Sequence, residues 1–319
     1  MNRLLVAALA LVATALPAAA QTWPSKPVRL IVPFGAGSTP DVMGRLLTDY
    51  LQAKFNQPFV VENRPGASGN TGTDAVAKAE PDGYTVGVSI VGPLAINAIL
   101  FGKLPYDPAK DLAFVTMLVT QPSALAINTG LNVNSVQELV TLIKANPGKF
   151  NFGSIGNGSL SHLSMEAILL KTGTKMVHIP YPGSPQAMTA LMRGDVHMSV
   201  LPAIAVTPQL SSGQVKILAI TTAQRSVLLP GVPTLKEVGV DVEADAWSGL
   251  IAPAGTPAPV IEAIRAAFTE AVTSPGVREK LAPMLTEAIP TTPAQFRART
   301  EADIARWKPV IEAANIKIN

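Results

Sequence analysis

The 319-residue sequence contains no cysteine. That excludes a disulfide framework, a thiolate nucleophile, a lipobox cysteine and every cysteine-containing zinc site. Histidine is almost as scarce: His162, His178 and His197 are the only three, and none falls in an H-E-x-x-H pattern, so no metal is expected. Each of them alone reads as a structural hydrogen-bonder, with His162 the one nearest a functional position. Charged residues make up 15% of the chain and the formal net charge is +3. No Lys/Arg cluster or interleaved aromatic stripe occurs, so a nucleic-acid partner is not expected. The nucleotide and hydrolase signatures are missing too. There is no G-x-x-x-x-G-K-[ST], no G-x-G-x-x-G after the first strand, and no G-x-S-x-G elbow, which Gly87-Val-Ser89-Ile-Val91 only approaches. The chain offers no nucleophile–base pair and no cofactor motif; it does not read as an enzyme.

The one long apolar run stands at the beginning. Arg3 supplies a positive start, Leu4 to Leu16 form a short apolar core, and Ala18-Ala19-Ala20 fits an A-x-A cleavage site. This reads as a secretory signal peptide over residues 1–20, too short for a membrane span. It predicts a mature protein in a bacterial periplasm, starting near Gln21 and roughly 300 residues long, enough for one large or two medium domains. With 24 glycines and 28 prolines against 5% aromatics, the composition suits an α/β chain with many short turns.

Strand-like and helix-like runs alternate. VRLIVPF (28–34), FVVEN (59–63), YTVGVSI (84–90), FVTMLVT (114–120), ALAIN (124–128) and KILAITT (216–222) read as strands. Val42, Met43, Leu46, Leu47, Tyr50 and Leu51 recur at helical spacing. Ser135 and Glu138 read as a capping box, and Thr256-Pro257, Ser274-Pro275 and Thr292-Pro293 as helix starts. In the last helix Phe296, Ile304, Trp307 and Ile311 form one apolar side. The alternation predicts parallel sheets with helices on both faces, arranged as two lobes that share chain crossings.

Three segments share the order strand, Gly/Ser/Pro-rich loop, helix: PFGAGSTPD (33–41), GSIGNGSLSH (153–162) and YPGSPQA (181–187). In open α/β sheets ligands bind beyond the carboxyl ends of strands, where such loops gather. A helix start offers unpaired N–H groups and a partial positive charge, a setting for an anion without any lysine. Loops from two halves facing one cleft would suit an elongated molecule with an anionic group at each end.

WPSKPVRLIVPF, VVENRPGASGNTG, LPYDPAKDL, NFGSIGNGSLSHL, MVHIPYPGS and WSGLIAPAGTP occur in an order that resembles one family, and the resemblance covers nearly the whole mature chain. That family is the periplasmic solute-binding proteins of tripartite tricarboxylate transporters, also called the Bordetella uptake gene (Bug) family. The resemblance implies a two-lobed Venus flytrap fold of the type II kind, with a mixed sheet in each lobe and two crossings, near Thr120–Ala124 and Asp245–Leu250. One lobe would start at 21–121, the other span 122–246, and 247–319 complete the first and pack C-terminal helices across both. The resemblance further implies a monomer that binds a small carboxylate and hands it to the transporter's membrane subunits. Carried over, the first lobe would use Phe34, Gly35, Ala36, Gly37 and Ser38, with Asp41 opening the helix. The second would use Ser154, Gly156, Asn157, Ser159 and His162, then Tyr181, Gly183, Ser184 and Ala187.

Four departures bear on the ligand. A Thr-Ser-Gly-Thr-His-like stretch common in relatives is here Ile90-Val91-Gly92-Pro93-Leu94. A Phe-Asp-Asn-like stretch is Val200-Leu201-Pro202, and a frequent lysine is Pro182. The first loop reads GAGSTPD where a double glycine is common. With no Asp to meet an ammonium group, an amino acid is disfavoured. With Ile90, Val91 and Leu201 in the cleft, its middle would be apolar and favour a mono- or dicarboxylate with an apolar or aromatic body; all three could equally be core. A sensor that presents a carboxylate to a two-component system is the alternative role, and an enzyme on the same scaffold a third.

Overall fold

The computed structural model describes residues 23–317, so the expected leader lies outside them. The strands, in chain order, are β1 (Val28–Val32), β2 (Phe59–Asn63), β3 (Thr85–Ile90), β4 (Leu112–Gln121), β5 (Ser123–Asn128), β6 (Asn151–Ser154), β7 (Val177–Pro180), β8 (Met198–Pro202), β9 (Val215–Ile220), β10 (Ala246–Pro253) and β11 (Glu287–Ala288). They form two sheets, ordered β11-β4-β10-β3-β1-β2 and β7-β6-β8-β5-β9. Strands such as β1, where only Arg29 escapes burial, are covered on both faces by helices, as their near-continuous apolar runs anticipate. This is the expected two-lobed α/β architecture with one mixed sheet per lobe.

Strand direction decides where a ligand can sit. In the first sheet β1 runs parallel to β2 and β3, and β10 runs antiparallel to both β3 and β4, so β4 ends on the same edge as β1 to β3. In the second, β6 runs parallel to β7 and β8, while β5 is antiparallel to β8, so β5 begins where β6 to β8 end. Only Pro122 separates β4 from β5. That short crossing turns the carboxyl ends of both sets of parallel strands toward one another. The chain returns before β10: Ala244 N–H still bonds Thr221 O of the second lobe, whereas Ala246 already pairs with Gln121.

The C-terminal helix Pro293–Ala313 ties the lobes together. Its start is a full capping box, with Thr292 and Gln295 bonding each other's backbone N–H groups at 3.2 and 2.9 Å. It buries Phe296, Trp307, Val310 and Ile311 in an apolar cluster that includes Phe114 and Ile31 of the first lobe and Leu125 and Phe152 of the second. The approach of this helix to β10 requires glycine, since a Cβ on Gly249 would stand 2.2 Å from the Phe296 ring. Arg299 fixes the same contact electrostatically. It pairs with Asp245 (2.6 Å), Glu243 (2.9 Å) and Asp303 (3.0 Å), and Asp303 also accepts from the Trp247 indole at 2.7 Å.

Two helix starts differ from expectation. Thr256 donates its hydroxyl to Pro253 O at 2.8 Å, closing the preceding turn, so the helix begins one residue later, at Ala258. At Ser135 only half the box forms, because Glu138 reaches Asn134 N–H rather than that of the cap. No helix among the described residues is long and apolar enough to cross a membrane.

Candidate functional site

The first loop leaves β1 at Pro33 and enters the helix Thr39–Phe55. Gly35, Ala36 and Gly37 are exposed, and Phe34 and Ser38 half-buried. Asp41 is buried, at 2% exposure, and organises the loop from behind. Its carboxylate accepts from Gly37 N–H (2.8 Å), the Asn63 amide (2.8 Å) and Arg45 (3.0 and 3.1 Å). Burial opposes the charge, but the bonds from Arg45, Gly37 and Asn63 outweigh it and hold the carboxyl below its ordinary range. Asn63 Nδ2 also donates to Phe34 O at 3.0 Å. What remains is a set of donors with no partner among the described residues: the N–H groups of Gly35, Ala36, Thr39 and Asp41. The Ser38 hydroxyl, at the N-cap, is buried and likewise without a partner.

The second loop, between β6 and the helix Leu160–Thr172, is held by neutral groups. Ser154, fully buried, donates to Gly156 O (3.1 Å), accepts from Gly156 N–H (3.2 Å) and lies 2.6 Å from His178 Nε2. Ser159 caps the helix, accepting from His162 N–H (3.2 Å) and donating to Gly156 O (2.7 Å). His162 Nδ1 accepts from Gly158 N–H at 3.2 Å. The His162 and His178 rings stack at 3.7 Å, with Phe152 beside the pair, 4.9 Å from His178 and 6.1 Å from His162. Burial, then the neighbouring His162, lowers the His178 pKa to about 4, so that ring is neutral at pH 7. The N–H groups of Asn157, Leu160 and Ser161 have no partner among the described residues. The third loop runs through half-buried Tyr181, Gly183 and Ser184 into the helix Ser184–Arg193, and the N–H groups of Ser184 and Gln186 are similarly open.

Thus the fold brings Phe34 to Ser38, Gly156 to Ser159, and Tyr181 to Ser184 to facing strand ends. Three expected residues are not there. Val91 is 5% exposed and Leu201 and Ala187 fully buried, each packed in a hydrophobic cluster, so they belong to the core and not to the cleft wall. Of the apolar trio only Ile90 is half-exposed. Asp41, Ser154 and His162 are also buried, and their polar atoms shape the loops rather than point outward. The Ser154–His178 contact resembles an activated hydroxyl, but a Ser154 with no accessible surface cannot act as a nucleophile.

The sequence reading missed the segment that ends β2. Gly66, Ala67, Ser68 and Gly69 have successive φ values of 139, 45, 54 and 91°, and Gly69 lies against Phe34 of the first loop. A Cβ on Gly69 would come within 3.0 Å of the Phe34 ring, and one on Gly72 within 2.6 Å of Pro33 Cα. The signal was the VVENRPGASGNTG stretch, whose glycines mark a close backbone approach.

A two-lobed α/β protein with open helix starts at facing strand ends has the architecture of the periplasmic binding proteins. The chain matches the tripartite tricarboxylate transporter family receptor over residues 43–316. BugT of Bordetella pertussis is 37% identical over 323 residues, covering 100% of this chain and 99% of that one. Among solved structures, a TctC solute-binding protein from Polaromonas without ligand is similar at a TM-score of 0.83 and 31% identity, covering 92% of this chain and 100% of that one. A protein from R. palustris solved with adipate is similar at 0.76 and 34%, covering 92% and 99%. The chain therefore belongs to the tripartite tricarboxylate transporter receptor (TctC, Bug) family, whose members are binding proteins and not enzymes.

Proposed function

We propose that this protein captures a small carboxylate between its lobes in the periplasm and delivers it, as a monomer, to the membrane subunits of a tripartite tricarboxylate-type transporter. The carrying observation is the crossing at Pro122, which turns both sets of strand ends and their open helix starts toward one gap. Residues 21–121 with 247–319 form one lobe in this reading and 122–246 the other. One carboxylate is met by the backbone around Gly35 and Ala36 and by the Ser38 hydroxyl. The second lobe offers Gly156, Asn157 and Ser159, together with Tyr181, Gly183 and Ser184. Donors spread over backbone N–H groups hold a carboxylate without a lysine, and closure adds contacts absent from the open state.

Ile90 and Tyr181, both half-buried, favour a ligand with an aliphatic or aromatic body. The similarity to a protein solved with adipate supports that direction. A thermal-shift screen of the mature protein, unfolded and refolded to strip ligand, tests the reading with citrate, aspartate, adipate, benzoate and terephthalate. A ligand at 100 times its Kd stabilises the native state by about 2.7 kcal/mol. Stabilisation by adipate or the aromatic acids supports the reading; a preference for citrate or aspartate refutes the apolar-body part. No response to any carboxylate overturns it.

A further inference from the structure

The stacked histidines behind the second loop do something the carboxylate reading does not require. We propose that His162 is a positioning residue: as the uncharged Nε2–H tautomer it holds Gly158 N–H and thereby fixes which donors of the second loop face the ligand. This inference rests on the carboxylate reading for its ligand, though not for its geometry. Nδ1 of His162 accepts from Gly158 N–H at 3.2 Å, so its proton sits on Nε2, 3.6 Å from Glu166 Oε1. The neighbouring Ser154–His178 contact anchors Gly156 in the same way, through a hydroxyl bonded to both Gly156 N–H and O. The two imidazoles therefore hold alternate residues of a loop whose Gly156 and Gly158, at φ 124 and 69°, give it no stiffness of its own.

A second proton on His162 has one place to go, Nδ1, where it meets the Gly158 N–H donor head-on. The loop must then turn Gly158 away and shift the Asn157 donor with it. It would also put a cation 3.7 Å from the His178 ring, with the Phe152 ring beside the pair. The Glu166 carboxylate, 3.6 Å from Nε2, faces the other ring nitrogen and gives a proton on Nδ1 no acceptor. β6 and β8 bring no ionisable side chain. Glu166 lies on the same helix, and across the groove beside it stands Lys175. The C-terminal helix turns Val310, Ala313 and Ala314 to that groove and engages Arg306 with Glu243 and Asp303. Charging His162 is therefore coupled to release of the Gly158 bond, and ligand affinity falls with it.

Two variants separate this role from plain packing. His162→Asn keeps an acceptor where Nδ1 stood and cannot be charged; His162→Phe keeps the stack and loses the acceptor. With adipate as the calorimetric probe at pH 7, H162F is expected to bind roughly tenfold more weakly or worse, and H162N within about threefold of the native protein. In the native protein, the Gly158 amide and the His162 ring nitrogens are expected to titrate together in ¹⁵N NMR without ligand, and the Gly158 step to vanish in H162N. An H162F variant that is folded and binds as the native protein does overturns the inference, as does a Gly158 amide indifferent to His162 ionisation. If the amide follows His162 but no carboxylate binds, the carboxylate reading fails and the positioning role stands.

Discussion

The two lobes solve one problem in opposite ways, and their N-cap serines show it. Ser159 is saturated: its hydroxyl donates to Gly156 O and accepts from His162 N–H. Ser38, at the equivalent junction of the first lobe, is half-buried, and its buried hydroxyl has no partner. The first loop is instead held from behind by a charge, Asp41, whereas the second is held by hydroxyls and imidazole nitrogens. A charged buttress leaves the cap free for a ligand; a neutral one uses the cap and leaves only backbone. The first lobe is thus the more incomplete of the two without a ligand.

Removing the charged buttress has the largest expected effect. Asp41→Ala leaves Gly37 N–H without its acceptor and the Asn63 amide with only Phe34 O, at a cost of about 2–4 kcal/mol by urea denaturation. Arg45, half exposed, adds little to that figure. Adipate binding is expected to be lost together with the loop. The sign with pH is fixed: because the folded carboxyl lies below its ordinary 3.8, its contribution is present above that pH and disappears as pH falls through the folded value. A native protein equally stable with and without Asp41 would erase the contrast between the lobes.

The neutral buttress predicts the next effect. The His178 ring has a folded pKa of about 4 against 6.5 when unfolded, so the unfolded chain binds the extra proton first. Stability is therefore complete above about pH 6.5 and declines as pH falls toward 4. Allowing for the ring's partial exposure, the loss is about 1–2 kcal/mol. Denaturation curves between pH 7 and 4.5 check it, and His178→Gln is expected to flatten the slope while leaving the acid limb due to Asp41 in place. An unchanged slope in that variant assigns the window to other groups.

The loops themselves were legible because glycine, serine and proline between an apolar run and a helical one have few other meanings. Their buttresses were not, for a reason of distance. Asp41 looks like an ordinary first-turn acid until Asn63, 22 residues away, is seen on its carboxylate. His178 lies on a different strand from the Ser154 it supports. Val91 and Leu201 show the complementary failure, since an apolar residue at a strand end has the same appearance in a core as in a cleft. Local chemistry is written in the sequence, whereas the side on which a residue faces depends on packing it cannot display.

The smallest effect on stability separates the lobes most sharply. Ser159→Ala removes a satisfied cap and is expected to cost about 1 kcal/mol. Ser38→Ala removes a hydroxyl with no bond to lose, so the ligand-free protein should stay within about 0.5 kcal/mol of native, or gain slightly by shedding an unpaired polar group. Binding should show the reverse order for the first lobe. If the Ser38 hydroxyl is reserved for a carboxylate oxygen, losing it weakens adipate binding by roughly tenfold, the worth of one hydrogen bond to a charged group. Equal affinity in Ser38→Ala and native protein would mean the hydroxyl is idle in both states, and the first loop would then have to hold its anion by backbone alone.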